Sequence, residues 1–250
     1  MKPVDLTQPW GTATPPWPGG SSPIIRYVNR ISMDGYGQQE LTYTTHIGTH
    51  LDGPLHFDSA GRDLASLPIE KLFGDGVIVD ISEVGPYGIY GPKDFKGKIE
   101  IKKGDILIIN TGFHKHWHTG KEPDELAYFA KHPGPHTEFR DWCADMKFKM
   151  LGVDCGSADH PMNTSIRTLH PLVAKEAQKR IGKPLEEIFP PEMDHMMHKL
   201  FKKPLELIHV ENIGGDIDQI LNKRVKVGFF PLKIIGGESS PCRVVAFLDE

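Results

Sequence analysis

The sequence predicts an α/β fold, a single domain over residues 1–250 built around a mixed sheet. Three observations carry this. Short apolar, β-branched runs recur along the chain. Stretches with helical spacing lie among them. The two kinds mix without the strict alternation of a purely parallel sheet. A chain of 250 residues with 38% hydrophobic and 25% charged content can bury a substantial core.

Taken in order, Pro9 to Pro23 is a loop, because Pro15, Pro16, Pro18, Gly19 and Gly20 crowd around Trp17. Trp10 and Trp17 either cap the core there or form an apolar wall for a substrate. Helical spacing appears over Leu64 to Phe73, His136 to Met146 and Ser165 to Ile181, the last with Leu169, Leu172, Val173 and Ala177 in phase. Val77 to Ile81, Ile106 to Asn110, Met150 to Val153 and Leu207 to Val210 read as strands. Val225 to Ile235 and Cys242 to Leu248 read as two longer ones, separated by a turn over Gly236 to Pro241. Neither Gly152-Val-Asp-Cys-Gly156 nor Gly236-Gly237 has the spacing of a phosphate-binding loop.

Composition excludes several classes. A net charge of −4 with interspersed signs offers no basic face for nucleic acid. Met1 to Trp10 lacks the pattern of a signal peptide, and no apolar run approaches bilayer length, so a cytoplasmic protein with no membrane association is expected. Cys143, Cys155 and Cys242 are odd in number and far apart, and read as reduced structural residues.

The 13 histidines are clustered. The informative segment is His46-Ile-Gly-Thr-His50-Leu-Asp52-Gly-Pro-Leu-His56. On a helix, His46 and His50 would share a face. Gly48, Gly53 and Pro54 argue instead for an extended or turning segment, in which the even offsets point one way and glycine at 48 leaves room for an ion. Either geometry converges His46, His50 and Asp52. Two imidazoles and a carboxylate suit Zn²⁺ or Mn²⁺ with positions left open for water.

This motif resembles the signature of the cyclase-like metal-dependent hydrolases, the family that includes bacterial kynurenine formamidase and isatin hydrolase. Trp17-Pro18-Gly19, Gly61-Arg62, the run Leu67 to Gly74 leading into a strand ending at Asp80, Asn110-Thr-Gly112 and Gly152-Val-Asp154 are similar to it as well. The resemblance implies a swivelling β/β/α architecture and dimers or tetramers whose N-terminal loops reach the neighbour's site. It further implies a later histidine and acid that complete the metal site. Glu211, in Val210-Glu211-Asn212, fits the acid. His198 fits the histidine at a spacing one residue longer than the family pattern, with His195 as the alternative. With Asp52 bridging, Glu211 and the histidine would hold a second ion, giving one or two in all. An isatin-hydrolase-like site would hold one ion and lack the glutamate.

The resemblance also implies that His56 is a general acid/base, consistent with a neutral imidazole taking a proton from water beside a metal. His56 or Glu211 would then deliver the proton to the leaving nitrogen. Phe57 joins Trp10 and Trp17 as an expected substrate contact. The implied activity is hydrolysis of a C–N bond in a small amide, whether a formamide, a cyclic amide or an imide. The alternatives are an ester or lactone hydrolase, a lyase, dehydratase or cyclase acting on a polyketide-like or sugar-like substrate, and a metal-storing or small-molecule-binding protein without catalysis. The chain reads as longer than a minimal formamidase, with the extra length around Ile181 to Met197.

Other features carry less. His114, His116 and His118 alternate but are interrupted by Lys115, and one of them or Trp117 would at most line the pocket. Asp159-His160-Pro161 reads as a turn, and His170 as a core or interface residue. Cys155 is an improbable nucleophile beside a metal site, and no Gly-x-Ser-x-Gly elbow occurs.

Overall fold

A computed structural model describes residues 1–248. The strands are β1 (Lys2–Asp5), β2 (Ile24–Asn29), β3 (Gln38–Thr42), β4 (His50–Asp52), β5 (Phe73–Asp80), β6 (Ile89–Tyr90), β7 (Ile106–Asn110), β8 (Gly134–Pro135), β9 (Leu151–Val153), β10 (His209–Glu211), β11 (Lys223–Pro231) and β12 (Ser239–Leu248). The helices are α1 (Ile31–Asp34), α2 (Glu125–Ala130), α3 (Thr137–Met146), α4 (Ile166–Leu169), α5 (Pro171–Ile181) and α6 (Leu185–Ile188). The main sheet has the order β1-β12-β11-β5-β7-β9-β10-β4. Strands β5, β7, β9 and β10 are mutually parallel, and the remaining pairings are antiparallel. Strand β12 also pairs with β4, through Ser239↔Asp52 and Pro241↔His50, so the sheet curls round into a barrel-like closed sheet. The α/β fold with a mixed sheet is as the sequence predicts.

Burial explains why these runs are strands. Ile106-Leu-Ile-Ile-Asn110 is buried throughout, as a strand covered on both faces requires. Its residues alternate between two cores. Ile106 and Ile108 join Leu51, Ile78, Val210, Val227 and Phe229 on one side. Leu107 and Ile109 join Val77, Val79, Leu151 and Val153 on the other, beneath Phe139 and Cys143 of α3.

Several elements differ from the sequence reading. Leu64 to Phe73 is not a helix but two short turns, Leu64–Ser66 and Ile69–Lys71. Pro68 lies between them, and Phe73 already begins β5. Ser165 to Ile181 is divided at His170 (φ −124°, ψ 69°) by Pro171, which opens α5. Leu169 and Leu172 are exposed, and Val173 and Ala177 alone carry the buried stripe of α5, with His170 half-buried rather than in the core. Strand β11 ends at Pro231, and Leu232 and Ile235 are exposed on the connection to β12. Ser239 to Pro241, read as turn, are strand residues because β4 supplies a pairing edge. No helix among the described residues is long and apolar enough to cross a membrane.

Leu51 is fully buried behind the metal-facing side of β4. Leu51→Ala is expected to cost about 2–5 kcal/mol, read as a lowered urea midpoint with an unchanged slope. A loss under about 1 kcal/mol would mean that this core collapses freely around the site.

Candidate metal centre

Three strands deliver the site. In β4, His50 and Asp52 share one face while Leu51 enters the core, as the two-residue strand period requires. In β10, His209 and Glu211 do the same around Val210. The antiparallel register sets His209 opposite Asp52 and Glu211 opposite His50. On the other edge of β4, Ser239 pairs with Asp52, which brings Glu238 alongside. Its carbonyl accepts from Gly53 N at 2.8 Å.

The remaining donors arrive on turns. Only His50 to Asp52 are extended. Gly48 adopts φ +60°, and a Cβ there would lie 3.2 Å from Trp10. The missing side chain therefore makes room for an indole rather than for an ion. His56 ends the turn Pro54–His56, and His198 opens the turn His198–Phe201.

Asp52 is the hub. Its Oδ1 lies 3.0 Å from His46 Nδ1 and 3.4 Å from His50 Nε2. Its Oδ2 lies 3.3 Å from His209 Nε2 and 3.7 Å from His198 Nε2. Glu211 Oε1 faces the same two nitrogens at 3.3 and 3.7 Å, and its Oε2 lies 3.8 Å from His50 Nε2. The donor atoms of Asp52, His198, His209 and Glu211 all fall within 4.8 Å of one another, and so do those of His46, Asp52 and His56. His46 and His50 both reach Asp52, but the most complete cluster is built on the later histidines.

The outer nitrogens show what the inner ones do. His46 Nε2 lies 2.8 Å from Glu238 Oε2, His50 Nδ1 2.9 Å from Gly48 O, and His198 Nδ1 2.6 Å from Asp159 Oδ2. These oxygens can only accept, so each of those nitrogens donates. In the neutral rings the other nitrogen is then a lone pair, and all three lone pairs face carboxylate oxygens. Accordingly His50 Nε2, both Asp52 oxygens and His209 Nε2 are buried without a hydrogen bond. Lone pairs converging on carboxylates are satisfied by a cation, and an ordered partner on the far side of each imidazole is the usual support of a metal-bound histidine. The residues therefore fit a divalent ion.

Without an ion, protons take its place. Burial alone would lower His46, but the adjacent charge of Asp52 and the hydrogen bond to Glu238 raise it to about 11. Burial likewise opposes His198, which its hydrogen bond to Asp159 and the nearby Asp52 carboxylate lift to about 10. Burial would raise Glu211, yet the facing imidazole of His209 helps to hold it at about 2. Asp52 is held well below the usual range against a large burial penalty by the charges of His46 and His50.

A cavity of about 340 Å³ opens on this cluster, walled by Pro15, Trp17, Phe57 and Phe129 with Thr44 and Ser157. Trp17 meets Phe129 edge-on, with ring centroids 6.0 Å apart. Trp10 is not in this cavity: it packs on Tyr43 and Gly48 and lines a separate groove beside Arg243. His195 lines the cavity but stays outside the donor cluster, paired with Asp194. His114 is buried against Asp154 at 2.8 Å, and Trp117 donates to Pro9 O; neither reaches the cavity. Asp159 is no mere turn residue, since it holds His198. Burial pushes the Cys155 thiol well up, as expected of a structural cysteine.

Three participants escape the sequence reading: His209, Asp159 and Glu238. His209 has a signal, the alternation His-Val-Glu in an apolar strand, which places it on the face of Glu211. Glu238 has none. Its Oε2 takes both His46 Nε2 at 2.8 Å and His56 Nδ1 at 2.9 Å, while Oε1 accepts from Thr45 and Ser239 hydroxyls at 2.6 Å each.

Two outcomes are expected. In the metal-free protein, His46 and His198 have folded pKa values above the ordinary 6.5, so their stabilising contribution is complete below 6.5 and is lost as pH rises through about 10 to 11. The contribution of Glu211 is complete above 4.5 and is lost as pH falls through about 2. The melting temperature of chelator-stripped protein should therefore fall from pH 6.5 toward 10, while metal affinity rises as competing protons leave; a stripped protein that gains stability over that range contradicts the ion-pair account. Glu238→Ala should weaken metal binding about 10- to 100-fold in a chelator competition. Unchanged affinity would show that Glu238 does not orient His46.

The family described as Putative cyclase matches residues 4–160. A kynurenine formamidase of Bacillus cereus is 23% identical over 244 residues, covering 97% of this chain and 95% of the relative. The enzyme of the same name from Bacillus anthracis is 24% identical over 244 residues, with the same coverage. An isatin hydrolase bound to the product analogue thioisatinate superposes with a TM-score of 0.76 at 20% identity, covering 100% of this chain and 93% of that one. A potential metal-dependent hydrolase with cyclase activity gives a TM-score of 0.65 at 18% identity, covering 100% and 98%. With the profile covering more than half of its residues, the chain belongs to the family described as Putative cyclase.

Proposed function

We propose that this protein is a metal-dependent hydrolase that cleaves the C–N bond of a small amide: a formamide, a cyclic amide or an imide. The observation that carries the reading is the set of buried, unpartnered donor atoms on His50, Asp52 and His209 at the floor of an apolar-walled cavity. The cavity volume of about 340 Å³ lies at the small-ligand end of the usual range. The similarity to kynurenine formamidases and the shared fold with isatin hydrolase support an amide rather than another carbonyl substrate.

Imidazole and carboxylate donors suit Zn²⁺ or Mn²⁺, as one or two ions held by His46, His50, Asp52, His198 and Glu211. A bound ion of this kind polarises the amide carbonyl and makes hydroxide available near neutral pH. His56 manages the protons. Its Nδ1 donates to Glu238, so Nε2 is the basic nitrogen. It takes the proton from the attacking water and returns it to the leaving nitrogen as the C–N bond breaks. Glu211, held to about 2, stays ionised at neutral pH and serves as a ligand rather than a proton donor. Trp17, Phe57 and Phe129 hold the substrate's apolar body and exclude water, and Thr44 and Ser157 offer hydroxyls to its polar edge. The same reading takes the protein as a cytoplasmic homodimer or homotetramer. The hairpin of β2 and β3 supports the assembly, since it exposes Ile24, Tyr27, Val28 and Leu41 beside Ile31 and Met33 of α1.

Purified protein should be screened against N-formylkynurenine, isatin, cyclic imides and simple esters, before and after chelation and in ¹⁸O-labelled water. Amide cleavage is expected to need metal and to place label in the acid product. His56→Ala should lower kcat about 10²- to 10⁴-fold with metal content unchanged. Turnover without label would replace hydrolysis by elimination or cyclisation, and full activity in His56→Ala would remove the proton role.

A further inference from the structure

Beyond the ligands named above, the structure assigns a role to His209. We propose that it is the fourth donor of a buried metal position whose four ligands are all protein atoms, formed with Asp52 Oδ2, His198 Nε2 and Glu211 Oε1. This position holds its ion more tightly than the Oδ1 side of Asp52, where His46 and His56 are more exposed than His198. The inference rests on the metal-dependent reading given under Proposed function.

Geometry supports it first. The four nitrogen-to-oxygen contacts among these donors, at 3.3, 3.3, 3.7 and 3.7 Å, are too long or too poorly aimed for hydrogen bonds. Bonds of 2.0–2.1 Å to a tetrahedral ion place neighbouring ligand atoms about 3.3–3.4 Å apart. The two His209 contacts thus match an ion's shell, the two His198 contacts are a few tenths of an ångström longer, and all four donor atoms lie within 4.8 Å of one another.

Burial supports it next. His209 is fully buried, and neither ring nitrogen has a hydrogen bond among the described residues. An imidazole without a partner on either nitrogen is costly in an apolar interior. Its ring stands perpendicular to that of His198 at 4.6 Å and against Phe201 at 4.7 Å, which fixes Nε2 toward the two carboxylates. Asp52 and Glu211 are also buried, and Ala158 N steadies Glu211 Oε1 at 2.8 Å.

The two sides of Asp52 then differ in kind. Four protein donors, two of them carboxylates, complete a tetrahedral shell without water, the arrangement of a structural site. On the Oδ1 side, His46 is more open and His56 stands beside it, the arrangement of a site that keeps a place for substrate. His209 is what divides the labour.

The test is metal binding, not turnover. Chelator-stripped protein is titrated with Co²⁺ while bound equivalents and the visible spectrum are followed. The first equivalent in the unaltered protein should show the intense bands of a four-coordinate ion. In His209→Gln it should bind more than about 100-fold more weakly, since loss of a mere outer-sphere partner already costs 10- to 100-fold. Wild-type affinity and spectrum in His209→Gln would overturn the proposal. If that variant does not fold, His46→Ala decides: it should retain one equivalent with unchanged four-coordinate bands, and loss of the ion or the weak bands of a six-coordinate one would overturn it. Failure of the unaltered protein to bind Co²⁺, Zn²⁺ or Mn²⁺ is a separate result, and would overturn the metal-dependent reading itself.

Discussion

Asp52 sits on a closed sheet with no solvent exposure and, among the described residues, no hydrogen bond to either oxygen. A carboxylate in that position costs several kcal/mol unless positive charge surrounds it. Four histidines approach it, from residues 46, 50, 198 and 209. Much of the architecture can be read as the means of bringing them there. Strand β4 is only three residues long, yet it is paired on both edges, by β10 and by β12. Those pairings immobilise the aspartate and carry Glu211 and Glu238 to it.

The surrounding layer is as specific as the donors. Each of three histidines is held from behind by a different acceptor: the carboxylates of Glu238 and Asp159, and the carbonyl of Gly48. This fixes the tautomer and the direction of the ring before any ion or substrate arrives. Asn212 donates to the same Gly48 carbonyl at 2.9 Å, so the residue after Glu211 steadies the turn that presents His50. Outside the layer, Phe57 and Phe201 stack around His198 and limit the entry of water.

Much of this is legible in the sequence, for reasons that differ by residue. The segment from His46 to His56 is readable because its donors are close in sequence and separated by small residues. Glu211 and His198 are readable only through resemblance, since nothing local says that residues far from Asp52 return to it. His209 obeys the two-residue period of a strand and could have been found by extending the face of Glu211 backwards. Glu238 could not: it stands between glycine and serine on a connection, and its place is set by the pairing of β12 with β4, a contact across the whole chain. Trp10 fails as a cavity residue because the positive φ of Gly48 opens a hollow on the far side of the strand, which the indole fills. In each miss the deciding partner is distant in sequence and invisible to periodicity.

Strand β12 begins immediately after Glu238 and ends against the first strand of the chain, with Val245 to Leu248 paired to Lys2 to Asp5. The two ends of the polypeptide therefore fasten one another, and they do so along the strand whose opposite tip steadies His46 and His56. The pairing of residues 2–5 with residues 245–248 is thus part of the same strand that places Glu238, and disturbing it bears on the site from a distance.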